Sequence, residues 1–530
     1  MVRRAVAAAA AVGISAAGAG AQRVALLSHA AGLPDQAADE QVEVDSATPD
    51  GRWVSLSSLA SDLVAGLANP THSRYVALWD RDADSAILVS RAAGSTSTVA
   101  GGASFGARVS ADGCCVAFQS LATDLVSGAA DDNLATDVLL FDRVSGQAQV
   151  VSHAAGAPLI TANGMSMLWA ISTDGRYVLF SSMATNVVTG QIDSNGFPDL
   201  FLWDRLSDSS VLVSHVFGEP VTAASAGTGD AFASGDGRWV AFDSGSPDLV
   251  GGGVQQATAL MGFLFDRDSG VVLLVSHVPA MPTTNANGFS TVHGMSADGS
   301  LVLMRSDATN LVAGGIDTNG EADVFAWVRA TGEVELISRR PGVPQTAGDG
   351  WSEPVTVDAA GRFVAFRSTS TDLIAGGSDS NGTYDAFLFD RDSGAVLLAS
   401  RSFADALATG DHLSDPVSVS GEGDVLFGSM ASDLAPPGMD DNGNLDAYLW
   451  SRSSGRVLLV SRRHDGAGSG SAATMATTVS ADGGEALLES FATDLVQPPQ
   501  PPGHIYRAAL PLFADGFETG DASGWTFPVP

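Results

Sequence analysis

Residues 172–180 read Ser172-Thr173-Asp174-Gly175-Arg176-Tyr177-Val178-Leu179-Phe180, a polar turn around Asp-Gly followed by a short apolar run. Asp and Gly are turn formers, Gly because it takes a positive φ without steric cost. The aromatic and β-branched residues after them favour a strand. Related turns place Gly at 51, 113, 175, 237, 299, 361, 423 and 483, at intervals of 62 residues six times and 60 once. Self-similarity at a fixed period is the mark of stacked supersecondary units, so the fold is read from the repeat.

Each repeat holds four apolar runs of 4–8 residues. One precedes the turn, as in Pro354-Val355-Thr356-Val357, and one follows it, as in Arg238-Trp239-Val240-Ala241-Phe242. A segment like Ala122-Thr123-Asp124-Leu125-Val126 and an Asp-rich loop lead to a third run, Asp199-Leu200-Phe201-Leu202-Trp203-Asp204-Arg205. The fourth ends in Ser, as in Val211-Leu212-Val213-Ser214-His215. The runs are nearly continuously apolar, so both faces of each sheet must be buried. Four-stranded sheets stacked face to face around an axis meet that demand. The expected fold is all-β, an eight-bladed β-propeller of four-stranded antiparallel blades spanning 22–512.

The chain ends predict how the ring closes. Ser ends the fourth run at 28, 90, 152, 214, 276, 338, 400 and 461, and Arg ends the third at 81, 143, 205, 267, 329, 391, 452 and 507. The two sets are out of phase. Arg23 to His29 is a fourth strand with no third before it, and His504 to Leu510 is a third with no fourth after it. The N-terminal strand is therefore expected to complete the last blade, leaving no open sheet edge.

Residues 172–180, together with Asp193-Ser194-Asn195-Gly196, Asp199-Leu200-Phe201-Leu202 and Asp204-Arg205, resemble the TolB-like or WD40-like (PD40) β-propeller repeats of exported bacterial proteins. The resemblance covers residues 23 to about 510. It implies scaffolding and protein binding more often than catalysis, although fold does not fix function. The run Phe513-Ala514-Asp515-Gly516-Phe517-Glu518-Thr519-Gly520-Asp521 with Trp525 resembles a short terminal tag of exported proteins.

Composition narrows the class. The 530 residues carry 26 basic side chains, all Arg, against 60 acidic ones, for a net charge of −34. That balance argues against a nucleic-acid partner, and a hydrophobic fraction of 45% argues against disorder. Residues 1–21 read as a signal peptide, with Arg3-Arg4, a weakly apolar stretch and Ala19-Gly20-Ala21, so export to periplasm or medium is expected. No segment is long and apolar enough to span a membrane. Residues 513–530 form a tail too short for a hydrolase domain. The adjacent Cys114 and Cys115 give no disulfide framework and read as two small buried side chains.

Five repeats carry D-x-N-x-x-x-D between the second and third strands: Asp131/Asn133/Asp137, Asp193/Asn195/Asp199, Asp317/Asn319/Asp323, Asp379/Asn381/Asp385 and Asp440/Asn442/Asp446. Alternating carboxylate and amide oxygens around a tight turn suit Ca²⁺, so these fifteen residues are candidate ligands. The same residues also suit a polar turn, with Asx bonds and a strand-capping Asp. Blades 1, 4 and 8 lack the motif, which favours the turn. The Arg ending each third strand and the Asp of the Asp-Gly turns are expected to pair around one rim, Arg143 with Asp112 for example. His29, His153, His215 and His277 stand where blades 1, 5, 6 and 7 have Arg, and are expected to be outer-strand charges that discourage edge pairing. Gly102-Ala103-Ser104-Phe105-Gly106 matches a nucleophile elbow but has no following helix.

The expectation from these readings is a monomeric, non-catalytic exported scaffold for a protein or glycan partner. The alternative is an enzyme with its site at the channel mouth, acting on a carbohydrate or peptide. A site should break the repeat locally, and only blade 4 does so visibly, with Gly251-Gly252-Gly253 and Gln255-Gln256 in place of the acidic loop.

Overall fold

A computed structural model describes residues 23–131, 133–255 and 260–510. The signal and tail read from 1–21 and 513–530 lie outside the described residues. Within them are eight four-stranded antiparallel sheets, three short two-stranded hairpins and a single 3₁₀ turn, Pro247–Leu249. Blade 1 comprises Val42–Ala47, Trp53–Ser58, Tyr75–Asp80 and Ser85–Leu88, paired in sequence order. Blades 2 to 7 repeat that order. Blade 8 comprises Thr474–Val479, Glu485–Ser490 and His504–Ala509, and its fourth strand is Arg23–Leu26 from the other end of the chain. The register runs from Arg23 opposite Ala509 to Leu26 opposite Tyr506.

The first strands of successive blades pack on one another and form the inner ring, and the fourth strands lie outside. Between blades the second and third strands bury both faces. The core is accordingly eight separate apolar layers, one at each blade junction, such as Leu179, Leu202, Phe242 and Phe263 between blades 3 and 4. Within blades, stacked pairs such as Phe180 with Phe201 (ring centroids 5.5 Å apart) join second to third strand.

The recurrent Ser has a fixed task. In every blade its Oγ accepts the N–H of the residue near the start of the third strand, as Ser214 does from Leu200 (3.0 Å) and Ser90 from Val76 (2.9 Å). At the seam Ser28 accepts the N–H of Ile505 at 2.9 Å. The non-covalent blade thus reproduces the bonding of the covalent ones.

Two details depart from the sequence reading. Six of the Arg follow the third strand directly, but Arg452 stands one residue beyond that position, because Ser451 follows the strand that ends at Trp450. Arg507 lies inside its strand, and Leu510 takes the turn position, donating its N–H to Gly484 O (2.8 Å) as Arg205 does to Arg176 O (2.9 Å). Second, all eight first strands carry a register shift, for example between Leu168 and Ala170 and between Val292 and Gly294. A β-bulge needs no signature residue, so the repeat gave no sign of it.

Removing the hydroxyl of Ser28 leaves the buried Ile505 N–H without its partner, so Ser28→Ala is expected to cost about 1–3 kcal/mol, as Ser214→Ala should in blade 3. Urea unfolding of both variants checks this. A silent Ser28→Ala beside a costly Ser214→Ala would show that the seam is not closed as described.

Candidate functional site

The five D-x-N-x-x-x-D loops share one geometry. The first Asp closes an Asx turn, as Asp193 Oδ1 accepts the N–H of Asn195 (3.1 Å) and Asp317 that of Asn319 (3.1 Å); Asp131 and Asp379 do the same. Asp440 differs, accepting from the Tyr448 hydroxyl at 2.6 Å. Each Asn donates through Nδ2 to a carbonyl of the following linker: Asn133 to Ala162, Asn195 to Ala224, Asn319 to Gly348, Asn381 to Gly410 and Asn442 to Gly470. The last Asp is buried and accepts from the recurrent Ser: Asp137 from Ser152, Asp199 from Ser214, Asp323 from Ser338, Asp385 from Ser400 and Asp446 from Ser461. A calcium ion would have to compete with these bonds. Among the described residues no three His, Cys, Asp or Glu side chains converge as a metal site. Where four of the loops place Gly at positive φ, the first places Leu134 at φ 53°, a conformation that disfavours a side chain.

Burial pushes Asp137, Asp199, Asp323 and Asp446 up to about 7 and Asp385 to about 8, reinforced by the first Asp of each loop and opposed by the Ser bond.

The His and Arg that follow the fourth strands are latches between blades, which corrects their reading as outer charges. His29 Nε2 meets Asp84 Oδ1 at 3.1 Å and His153 Nε2 meets Asp208 Oδ1 at 3.1 Å, each in the turn between third and fourth strands of the next blade. His215 reaches Gly270 O (3.1 Å), Arg339 reaches Gly394 O (3.0 Å) and Arg91 reaches Gly146 O. These basic groups are wholly or partly buried because the next blade covers them.

The expected Arg–Asp pairing around the rim holds in part: Arg205 pairs with Asp142 and Arg452 with Asp390 (3.1 Å), each in the preceding blade, while Arg81 and Arg391 take Glu485 (3.1 Å) and Glu335 (2.7 Å) there. Arg143 donates to Gly113 O (2.7 Å) and lies 4.2 Å from the centroid of the Trp53 ring in the preceding blade, while Asp112 binds Ser110 and the Cys114 N–H. Arg267 and Arg329 stack likewise on Tyr177 and Trp239 at 4.1 Å. The Arg that follow the Asp-Gly turns pair within their own blade, Arg176 with Asp204 at 2.8 Å and Arg362 with Asp390 at 3.0 Å. Cys115 is buried and Cys114 half-buried; both thiols are free, with the sulfurs 2.6 Å apart.

The break in the repeat lies on the inner strands. The penultimate residue of the second strand, opposite the start of the first, reads Ser57, Gln119, Ser181, Asp243, Arg305, Arg367, Gly428 and Glu489 around the ring. The flanking positions keep their apolar or Ser consensus. Blades 4 to 7 gather charge here: Asp230 and Asp243, then His293 and Arg305, then Glu353 and Arg367, then Asp415. Asp230 and His293 sit in the bulges of their strands.

Arg367 is fully engaged, with Nε on Glu353 at 3.0 Å and Nη1 on Asp415 at 2.9 Å, and it lies 5.1 Å from the Tyr384 ring centroid. Arg305 is half-buried, 5.7 Å from the Trp351 ring, and makes no ion pair among the described residues; its Nε is buried without a hydrogen-bond partner. His293 accepts from or donates to Thr291 Oγ1 at 3.0 Å. Burial pulls its pKa down against the opposing pull of Glu353 and Asp230, with Arg305 and Arg367 adding to the decrease. Burial pushes Asp243 up to about 7 although its Oδ2 accepts the Val292 N–H. In the sequence the visible break is the replaced acidic loop of blade 4, and this cluster lies elsewhere in the repeat. The usable signal was a single repeat position with no consensus.

No protein-family model and no curated protein matches the chain. Solved structures do. A prolyl endopeptidase is 11% identical over 82% of this chain and 50% of that one, with a TM-score of 0.44, so the chain spans about half the length of that enzyme. An oligogalacturonate lyase in complex with manganese is 13% identical, covering 93% of this chain and 96% of that chain, at a TM-score of 0.40. The β-propeller domain of the trilobed protease from Pyrococcus furiosus is 12% identical over 73% and 91%, at 0.37. These proteins are mostly enzymes, and the expectation of a non-catalytic scaffold is withdrawn on that finding. At such identities the likeness concerns the propeller and specifies no reaction.

Six of the buried carboxylates, the five loop Asp and Asp243, hold protons in the folded chain up to about pH 7, whereas unfolded carboxylates lose them near pH 4. The native state therefore binds more protons across that interval, and stability falls as pH rises through it. Thermal midpoints are expected to drop from pH 5 to pH 8, and Asp199→Asn, neutral throughout, should flatten the decline and raise the midpoint at pH 8. An unchanged slope in that variant would mean Asp199 is ionised when folded.

Proposed function

We propose that the protein is an enzyme acting at the mouth of its central channel on a carbohydrate or peptide chain that bears a carboxylate. The observation that carries this reading is Arg305, a half-buried guanidinium with no carboxylate of its own among the described residues, set beside His293 in a protein of net charge −34. A guanidinium binds carboxylate through a planar fork and stabilises negative charge that develops nearby. His293, held neutral by burial, has a lone pair to take a proton at pH 7. Glu353 and Asp415 fix Arg367, which leaves Arg305 as the group open to substrate. Export, read from residues 1–21, belongs to the same proposal and fits an extracellular polymer as substrate.

The test is turnover of acidic polysaccharides, their neutral counterparts and peptides, followed by new chain ends. His293→Ala and Arg305→Ala should each lower kcat/KM at least about 10²-fold while keeping the thermal midpoint. The wild-type rate should climb with pH below 6.5, the ordinary His value, and level off by about 7. Turnover that survives His293→Ala, or none on any polymer, sinks the reading.

A further inference from the structure

The ring seam holds a cavity of about 800 Å³, apart from the channel mouth and within the size range of small-ligand sites. Its origin is the way the ring closes. In blades 1 to 7 the third and fourth strands are joined by a turn, and in blades 1 to 4 and 6 the His or Arg behind the preceding blade's fourth strand latches onto it, as Arg91 and His153 do. In blade 8 the two strands come from opposite ends of the chain. Arg462, the latch residue of blade 7, has no such turn to bind. Its Nη2 folds back to Gly466 O at 2.9 Å and its Nε is buried with no hydrogen-bond partner.

The wall is unusually basic for this protein. Four Arg occur among 18 lining residues, against 26 in the 530 of the chain. Arg81 and Arg507 share one carboxylate, Glu485, at 3.1 and 3.4 Å. Arg463 pairs with Asp441 at 2.8 Å, and its Nε is buried without a partner. Arg462 has no carboxylate among the described residues. Of the acids in the wall, Asp84 is tied to His29 at 3.1 Å. The wall also includes Leu26, Leu495 and Trp79, which is 3% exposed with Nε1 unbonded.

We infer that this cavity binds a small oxyanion, a carboxylate or phosphate carried on a flat apolar body. Arg462 and Arg463 take the anionic group, the Trp79 N–H supplies a further donor, and the apolar body rests on Leu26 and Leu495. The cost of leaving these donors buried and unmatched is what such a ligand relieves.

Titration calorimetry of the full chain with benzoate, phenyl phosphate and inorganic phosphate tests this. Saturable binding of benzoate or phenyl phosphate is expected, the tighter of the two telling carboxylate from phosphate, with inorganic phosphate at least tenfold weaker. Arg462→Gln should weaken the aromatic anion at least tenfold and leave the ligand-free thermal midpoint in place. Should that variant fail to fold, Arg463→Gln, on a partly exposed side chain, serves for the same comparison. No saturable binding, binding that neither variant changes, or inorganic phosphate binding as tightly as phenyl phosphate overturns the inference.

Discussion

Everything in this molecule depends on a strand from one end of the chain pairing with a strand from the other. Eight blades can bury both faces of every sheet only if the ring closes, and closure here rests on four residue pairs, Arg23 to Leu26 against Tyr506 to Ala509. The Ser28 bond to Ile505 gives that junction the same internal geometry as the covalent blades. The entropic cost of joining ends so far apart grows only slowly with loop length, so one blade's worth of pairing and two apolar junctions can hold it. Closing by strand exchange has a local consequence. The seam lacks the turn that every other blade has, and the basic latch that would cap it faces a cavity.

The blades are joined to one another by apolar layers, and polar contacts refine the fit. Latches from His29, His153 and Arg339 reach 55 residues ahead into the next blade's turn, and Arg143, Arg267 and Arg329 stack back onto aromatic rings of the preceding blade. Guanidinium over an aromatic face keeps its outer edge in water while its plane covers apolar surface, which suits the rim of a closed ring. The repeated Asp-rich loops belong to this same fabric, since their carboxylates end on the recurrent Ser.

Repetition is also what makes the channel cluster stand out. The penultimate position of the second strand carries no shared residue type around the ring, even though Asp243 accepts the Val292 N–H of the next blade and Arg367 pairs with Glu353 and Asp415. Asp243, Arg305, Arg367 and Glu489 occupy it in four blades, where Ser or Gln serves in three others. The bulge in each first strand brings Asp230 and His293 into the same ring of positions. Arg305, with no ion pair among the described residues and its Nε unbonded, is held there by the fold at no electrostatic gain. That is the argument for a task performed on something outside the chain.

The architecture was legible in the sequence because it rests on local and periodic terms. Asp-Gly turns, continuous apolar runs and a period of 62 residues are properties of short segments, and the phase offset between Ser28 and Arg81 was enough to predict the closing strand. The roles of individual polar residues were not legible. His153 reads the same whether it faces solvent or the next blade, and Arg507 keeps its place in a sequence count while lying inside a strand. Which charges meet across blades depends on register, on bulges that have no signature residue, and on the fixed rotation from one blade to the next. The sequence by itself determined the blades, their number and the way the ring ends; only the tertiary structure decided which side chains meet at the channel and the seam, because those contacts join residues that no local pattern connects.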